Sequence, residues 1–287
     1  MAADADPDPD DPHLGRIIGG ARLFQKVGAG PSGTVYLGHQ PGAADIPDRT
    51  VAVKIIHDHV STNAAFRERF IPTTKAIARL CHPHLVMNHD FGQLCGNCPW
   101  YVVNEYVDGP SLATLIAGRR TLRQKQVASI MAPCLGGLSI AGKKGIVHRG
   151  IRPANILLTQ SMDAKLSDFG LARDVGMDTD PHPVAPYQLS FMSPEQTLGL
   201  RLDSRSDIYS LGVTAYLALT GRNPFHGPTA SDITTKQRDS SPTPPHQITA
   251  GISQACSDVV MRMLAKDPKD RFEHADACRI AWQGIND

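Results

Sequence analysis

Long apolar runs are missing from this chain of 287 residues. The most apolar stretch, Ile208 to Leu219, is too short to span a bilayer and contains Ser210 and Gly212, so it reads as a buried core helix. No stretch looks like a secretory leader either, so none is expected: the start is acidic, not basic, and has no apolar centre. Strong charge of either sign is also lacking. The formal net charge is +1, which removes any overall basic field for nucleic acid or acidic membranes. Six cysteines in a chain of this size do not suggest a disulfide scaffold, so a reducing, cytoplasmic compartment is expected. There is no internal repeat. What remains is an ordinary globular composition, 41% hydrophobic and 20% charged.

Residues 1–13 carry Asp4, Asp6, Asp8, Asp10 and Asp11 interleaved with Pro7, Pro9 and Pro12. With no apolar periodicity they read as a disordered acidic tail. After them the strand-like Leu23–Val27 leads into Gly28-Ala29-Gly30-Pro31-Ser32-Gly33, and a second strand, Thr34–Leu37, follows. Glycines at 28, 30 and 33 would let backbone amides approach phosphates with no side chain in the way. A dinucleotide-binding unit would place a helix after such a loop; a strand follows here. Val51-Ala52-Val53-Lys54-Ile55-Ile56 then alternates as a buried strand carrying Lys54.

Further motifs keep a fixed order: His148-Arg149-Gly150-Ile151-Arg152-Pro153-Ala154-Asn155, then Asp168-Phe169-Gly170, Ser193-Pro194-Glu195, Asp207 in an apolar helix, and Arg271 after Asp267-Pro268. Together they resemble the protein kinase family, in the flavour of the bacterial, eukaryotic-like serine/threonine kinases, over about Leu14 to Trp282. The resemblance implies an α+β, two-lobed protein-kinase fold: a small antiparallel-sheet N-lobe with one helix (14–104), then a hinge and mostly helical C-lobe (105–287). It implies that Gly28, Gly30, Gly33, Val35, Ala52, Lys54, Glu105, Val107, Leu157 and Asp168 contact ATP, that Asn155 and Asp168 ligate Mg²⁺, and that Arg152 faces the transferred phosphate. Asp207 would brace the catalytic loop, and Arg271 would pair with Glu195.

Four departures bear on activity. Gly150 stands where the family places the aspartate that accepts the substrate proton, and residues 149–158 contain no Asp or Glu. Arg152 replaces a lysine; it could neutralise a γ-phosphate or reach into the space beside Gly150. The glutamate that pairs with Lys54 in the family falls on Thr73, counting back from His82-Pro83. Glu68 lies about 140° around the helix from it, and Pro72 predicts a broken or shortened helix whose regular part starts near that residue. Before Ser193-Pro194-Glu195 the usual threonine is absent, and Thr179 and Ser190 are the hydroxyls left for a phosphorylation switch.

Asn104 precedes the hinge where a bulky apolar residue is commoner, and would contact a nucleotide or bond to neighbouring backbone. Cys95-Gly96-Asn97-Cys98 is half a zinc knuckle with no other half evident, and reads best as a hairpin turn with two free thiols. The leading expectation is an ATP-binding pseudokinase acting through another protein as scaffold or allosteric regulator. A weakly active serine/threonine kinase or other phosphate or nucleotidyl transferase is the alternative, and a nucleotide-free interaction module the second. No nucleic acid and no membrane segment are expected.

Overall fold

The structure, a computed structural model, describes residues 11–42, 47–94, 99–169, 173–174 and 186–286. The chain divides into two compact units. One is built from the chain up to Cys81 together with Val86–Tyr106, the other from His82–Leu85 and the chain from Val107 onward.

The first unit is a six-stranded antiparallel sheet. Its strands are β1 (Ile17–Ile18), β2 (Ala21–Gly30), β3 (Gly33–Gln40), β4 (Arg49–Ile56), β5 (Asn88–Gln93) and β6 (Trp100–Glu105), in the order β1-β2-β3-β4-β6-β5. Alternation in β4 sends Val51, Val53 and Ile55 into an apolar core with Leu23, Tyr36 and Val103. The opposite side chains, Ala52 and Lys54, are half-buried. Two helices follow β4: the single turn α1 (Asp58–Ser61) and α2 (Ala64–Ile77).

Two expectations are corrected here. Pro72 does not break α2, which runs through it from an N-cap at Asn63, whose side chain accepts from the Phe66 amide. Proline removes one main-chain donor, but Phe70, two residues earlier, is anchored against Phe66, Phe91 and Trp100, with ring centroids 5.2, 6.2 and 4.8 Å apart. Buried Thr74 also returns its hydroxyl to the Phe70 carbonyl at 2.7 Å. Tertiary packing outweighs the local rule. The acidic leader, in turn, is fixed already at Asp11. Its carboxylate accepts from the Tyr36 hydroxyl at 3.1 Å and pairs with Lys26 at 3.2 Å, and His13 packs edge-on against Tyr36.

The second unit is mainly helical: α3 (Leu112–Arg119), α4 (Gln124–Lys143), α5 (Pro186–Leu189), α6 (Pro194–Thr197), α7 (Ser204–Thr220), α8 (Ala230–Asp239), α9 (Gln254–Met263) and α10 (Ala275–Gln283). Short strands β7 (Ile146–Val147) and β10 (Arg173–Asp174) pair, as do β8 (Ile156–Leu158) and β9 (Ala164–Leu166). The apolar stretch read as a core helix is α7, buried over nearly its whole length and ended by Gly221 at φ +69°. No described helix is long and apolar enough to cross a membrane.

Candidate active site

The loop after β7 is set by one buried carboxylate. Asp207, in the first turn of α7, accepts the His148 amide at 2.7 Å and the Arg149 amide at 2.9 Å. Burial pushes Asp207 up to about 7, against the pull of those two amides toward the charged form. Their grip holds Arg149 in the left-handed region, at φ +65°. His148 is fully buried and stacks on Phe169 at 4.2 Å. Its Nδ1 accepts the Gly150 amide at 3.2 Å, so Nε2 carries the hydrogen and donates to the Ser167 carbonyl at 3.1 Å. Burial depresses His148 to about 4, outweighing the nearby Asp168 charge and the Ser167 carbonyl, so the ring is neutral with both nitrogens used.

Gly150 is thus held by its backbone alone. Its amide goes to His148, and its carbonyl accepts from Asn155 Nδ2 at 2.8 Å. Asn155 is buried, and its own carbonyl accepts from the Ser167 amide at 2.8 Å. With Nδ2 committed, Asn155 Oδ1 accepts no hydrogen bond among the described residues. Asp168 sits next along at φ +62°, which aspartate tolerates better than most residues. Arg152 is half-buried and makes no hydrogen bond or ion pair among the described residues. Its charge is felt at the Tyr187 phenol, whose pKa burial nevertheless raises. In the same unit, Val107 is buried and Leu157 bridges Ser111.

In the sheet unit, Val35 pairs with Lys54, and Ala52 with Leu37 and Asn104, so these side chains share the face opposite the core. Lys54 is half-buried and engaged. Asn104 accepts from Asn88 Nδ2 at 3.3 Å, a bond to a neighbour. Glu105 ties the end of β6 to Met87 through its amide, at 2.8 Å, and its carboxylate, at 3.1 Å. The glycine motif is tighter than expected. β2 runs to Gly30 and β3 begins at Gly33, leaving Pro31 and Ser32 as the turn. A Cβ at Gly28 would meet nothing within 4 Å, whereas one at Gly33 would lie 2.4 Å from the Ile55 carbonyl.

A buried clasp closes the later motifs. Arg271 donates to both oxygens of Glu195 at 2.7 and 2.8 Å, and Ser206 to one of them at 2.6 Å. Burial works against the charge on Glu195, but these donors hold it below the usual range. The sequence matches the protein kinase domain over residues 21–283. The chain belongs to the protein kinase family. It is 34% identical over 236 residues to serine/threonine-protein kinase PknB of Mycobacterium leprae (80% of this chain, 38% of that protein). To PrkC of Bacillus subtilis it is 32% identical over 263 residues (91% and 40%). To PknL of Mycobacterium tuberculosis it is 33% identical over 278 (96% and 68%). The chain thus spans about two fifths of the length of PknB and PrkC. Among solved structures, the kinase domain of M. tuberculosis PknI superposes with a TM-score of 0.75 at 27% identity, covering 94% of this chain and 98% of that one.

Sequence reasoning missed how this kinase domain fastens the segment around Ser193-Pro194-Glu195. Gln196 of α6 donates to the Arg149 carbonyl at 2.9 Å, tying that segment to the catalytic loop without the missing threonine. Gln196 is also the last residue of a Ser-Pro-Glu-Gln capping box, a signal the sequence did carry. Ser190 is no ready phosphorylation site: it is buried, donates to the Tyr187 carbonyl at 2.8 Å and accepts from Asn223 at 2.9 Å. Thr179, Gly170 and the Cys95–Cys98 pair lie outside the described residues.

Proposed function

We propose that this kinase domain binds ATP with Mg²⁺ but transfers phosphate poorly at best, and acts as a pseudokinase that scaffolds or regulates another protein in the cytoplasm. One observation carries the reading. The catalytic-loop frame is intact around Gly150, yet the position that would accept the substrate proton has no side chain. Loss of a positioned base typically costs about 10²- to 10⁴-fold in rate.

The residues present suit the cofactor. Mg²⁺ takes hard oxygen donors, and Asn155 Oδ1 and the Asp168 carboxylate supply two. Lys54 and the Gly28–Gly33 turn offer the cation and bare backbone that phosphates require. Mg²⁺, when bound, neutralises phosphate charge. Arg152 would add a second positive group toward the terminal phosphate, and Asn155 would hold the Gly150 carbonyl in place.

The first test is thermal melting over an ATP and Mg²⁺ titration. A saturable, magnesium-dependent rise supports an occupied site. No shift at millimolar ATP rejects nucleotide binding and favours a pure interaction module. The second is Gly150→Asp. A Cβ there would lie 3.7 Å from His148 Nδ1 and 3.8 Å from Asn155 Nδ2, ordinary contact distances, so an aspartate can be seated. Phosphotransfer to a generic basic protein should rise about 10²- to 10⁴-fold. Ready transfer by the wild type would overturn the pseudokinase reading.

A further inference from the structure

The segment before Ser193 lacks its usual threonine, yet its backbone is fastened from beneath by side chains of later elements. Gln237, in the last turn of α8, is fully buried. Its Nε2 donates to the Leu189 carbonyl at 2.5 Å and the Met192 carbonyl at 2.8 Å. Asn223, after α7, donates to Ser190 Oγ at 2.9 Å, and Ser190 in turn holds the Tyr187 carbonyl. Gln237 is itself pinned. Its own carbonyl accepts from Lys266 Nζ at 2.7 Å, and that ammonium lies 4.1 Å over the Phe225 ring. On the far side of the segment, Gln196 passes the connection to the Arg149 carbonyl.

We infer that Gln237, assisted by Asn223, is the positioning residue for residues 187–192, holding them in a docking-ready shape in place of the absent threonine. The inference rests on reading this segment as the one that meets a peptide, a reading drawn from the kinase resemblance. The shape does not wait on a phosphate, because every tie to the segment itself is between neutral groups. A rigid segment of this kind presents a peptide or partner surface whether or not phosphate is transferred.

Hydrogen exchange read by mass spectrometry tests this on the whole chain, comparing peptides over 187–193 with peptides over β2 and β3. Gln237→Met keeps the side-chain length and removes both donors. It should speed exchange in 187–193 about tenfold or more, two buried hydrogen bonds being lost, and leave β2–β3 unchanged. Asn223→Ala, which removes the tie to Ser190 together with the bond its Oδ1 accepts from the Phe225 amide, should speed exchange around Ser190 about threefold. It carries the test if the buried Met variant does not fold. Unchanged exchange at 187–193, or equal acceleration everywhere, overturns the inference, the second outcome marking a general stability role. In a Gly150→Asp background with measurable transfer, Gln237→Met should raise KM for a peptide and leave KM for ATP alone; equal changes in both overturn it. The exchange result does not depend on nucleotide. A failure of ATP binding and a failure of this inference are therefore separable.

Discussion

The two units of this kinase domain hold their shape by different means. The sheet unit relies on apolar packing: an aliphatic core beneath β2–β4 and β6, and an aromatic cluster centred on Phe70. The helical unit packs an apolar core too, along α4 and α7, and fastens its loops with buried polar groups whose partners are used up: Asp207 under the catalytic loop, neutral His148, and the Glu195–Arg271–Ser206 clasp. Packing is forgiving, because many weak contacts adjust together, and α2 survives a proline in its middle. A saturated polar network is not, because removing one partner strands another. The same contrast explains why Gly150 is structurally harmless. The network grips its amide and carbonyl and never used a side chain there.

The contrast breaks first, and hardest, at Arg271. Arg271→Met leaves Glu195 buried without its partner and should cost about 3–5 kcal/mol in chemical denaturation. A loss below ~1 kcal/mol would place the clasp among ordinary surface pairs. In the packed unit the sign reverses. Pro72→Ala restores a main-chain donor inside a continuous helix and should stabilise by about 1–3 kcal/mol. A destabilised variant would mean the helix depends on proline's fixed φ.

A pH series sharpens the picture at Lys266. Burial and the neighbouring Arg271 charge depress it to about 8, below 10.5 for the free group, with Asp239 pulling the other way. Between those values the unfolded chain holds the proton and the folded one has released it, so this group's contribution to stability rises with pH. The wild-type minus Lys266→Met stability difference should be flat below pH 8 and climb from there toward 10.5; a falling difference would show a charged lysine held by its carbonyl and ring partners. The smallest effect is expected at Tyr209, whose buried hydroxyl has no hydrogen-bond partner among the described residues. Tyr209→Phe should leave stability unchanged or raise it by up to ~1 kcal/mol. A larger loss would reveal a bound water bridging that hydroxyl.

Much of this was legible in the sequence, for a physical reason. Glu195 with Arg271, and Asp207 under the catalytic loop, are residues whose partners are other residues or one fixed loop, so the motif names both ends. Gln237 and Asn223 were not legible. They serve main-chain carbonyls or a single hydroxyl, and a carbonyl has no letter in the sequence. The continuity of α2 was misread because the proline rule is local, while Trp100 lies 30 positions after Phe70. Asp11 was misread as tail for a similar reason: its partner Tyr36 lies 25 positions on, and composition alone cannot show it.

The glycine motif is two requirements written in one alphabet. At 28 a Cβ would meet nothing within 4 Å and at 30 only the Gly33 carbonyl oxygen at 3.9 Å, so the absence of a side chain there is a choice about what may approach from outside. At 33 the absence is demanded from within, by the carbonyl of Ile55 on the next strand. A descendant of this chain released from every nucleotide would be free to drift at the first two positions and would still keep the third. Counting glycines therefore overstates the signal for a ligand; the outer pair carries it, and the inner one reports only how closely two strands lie.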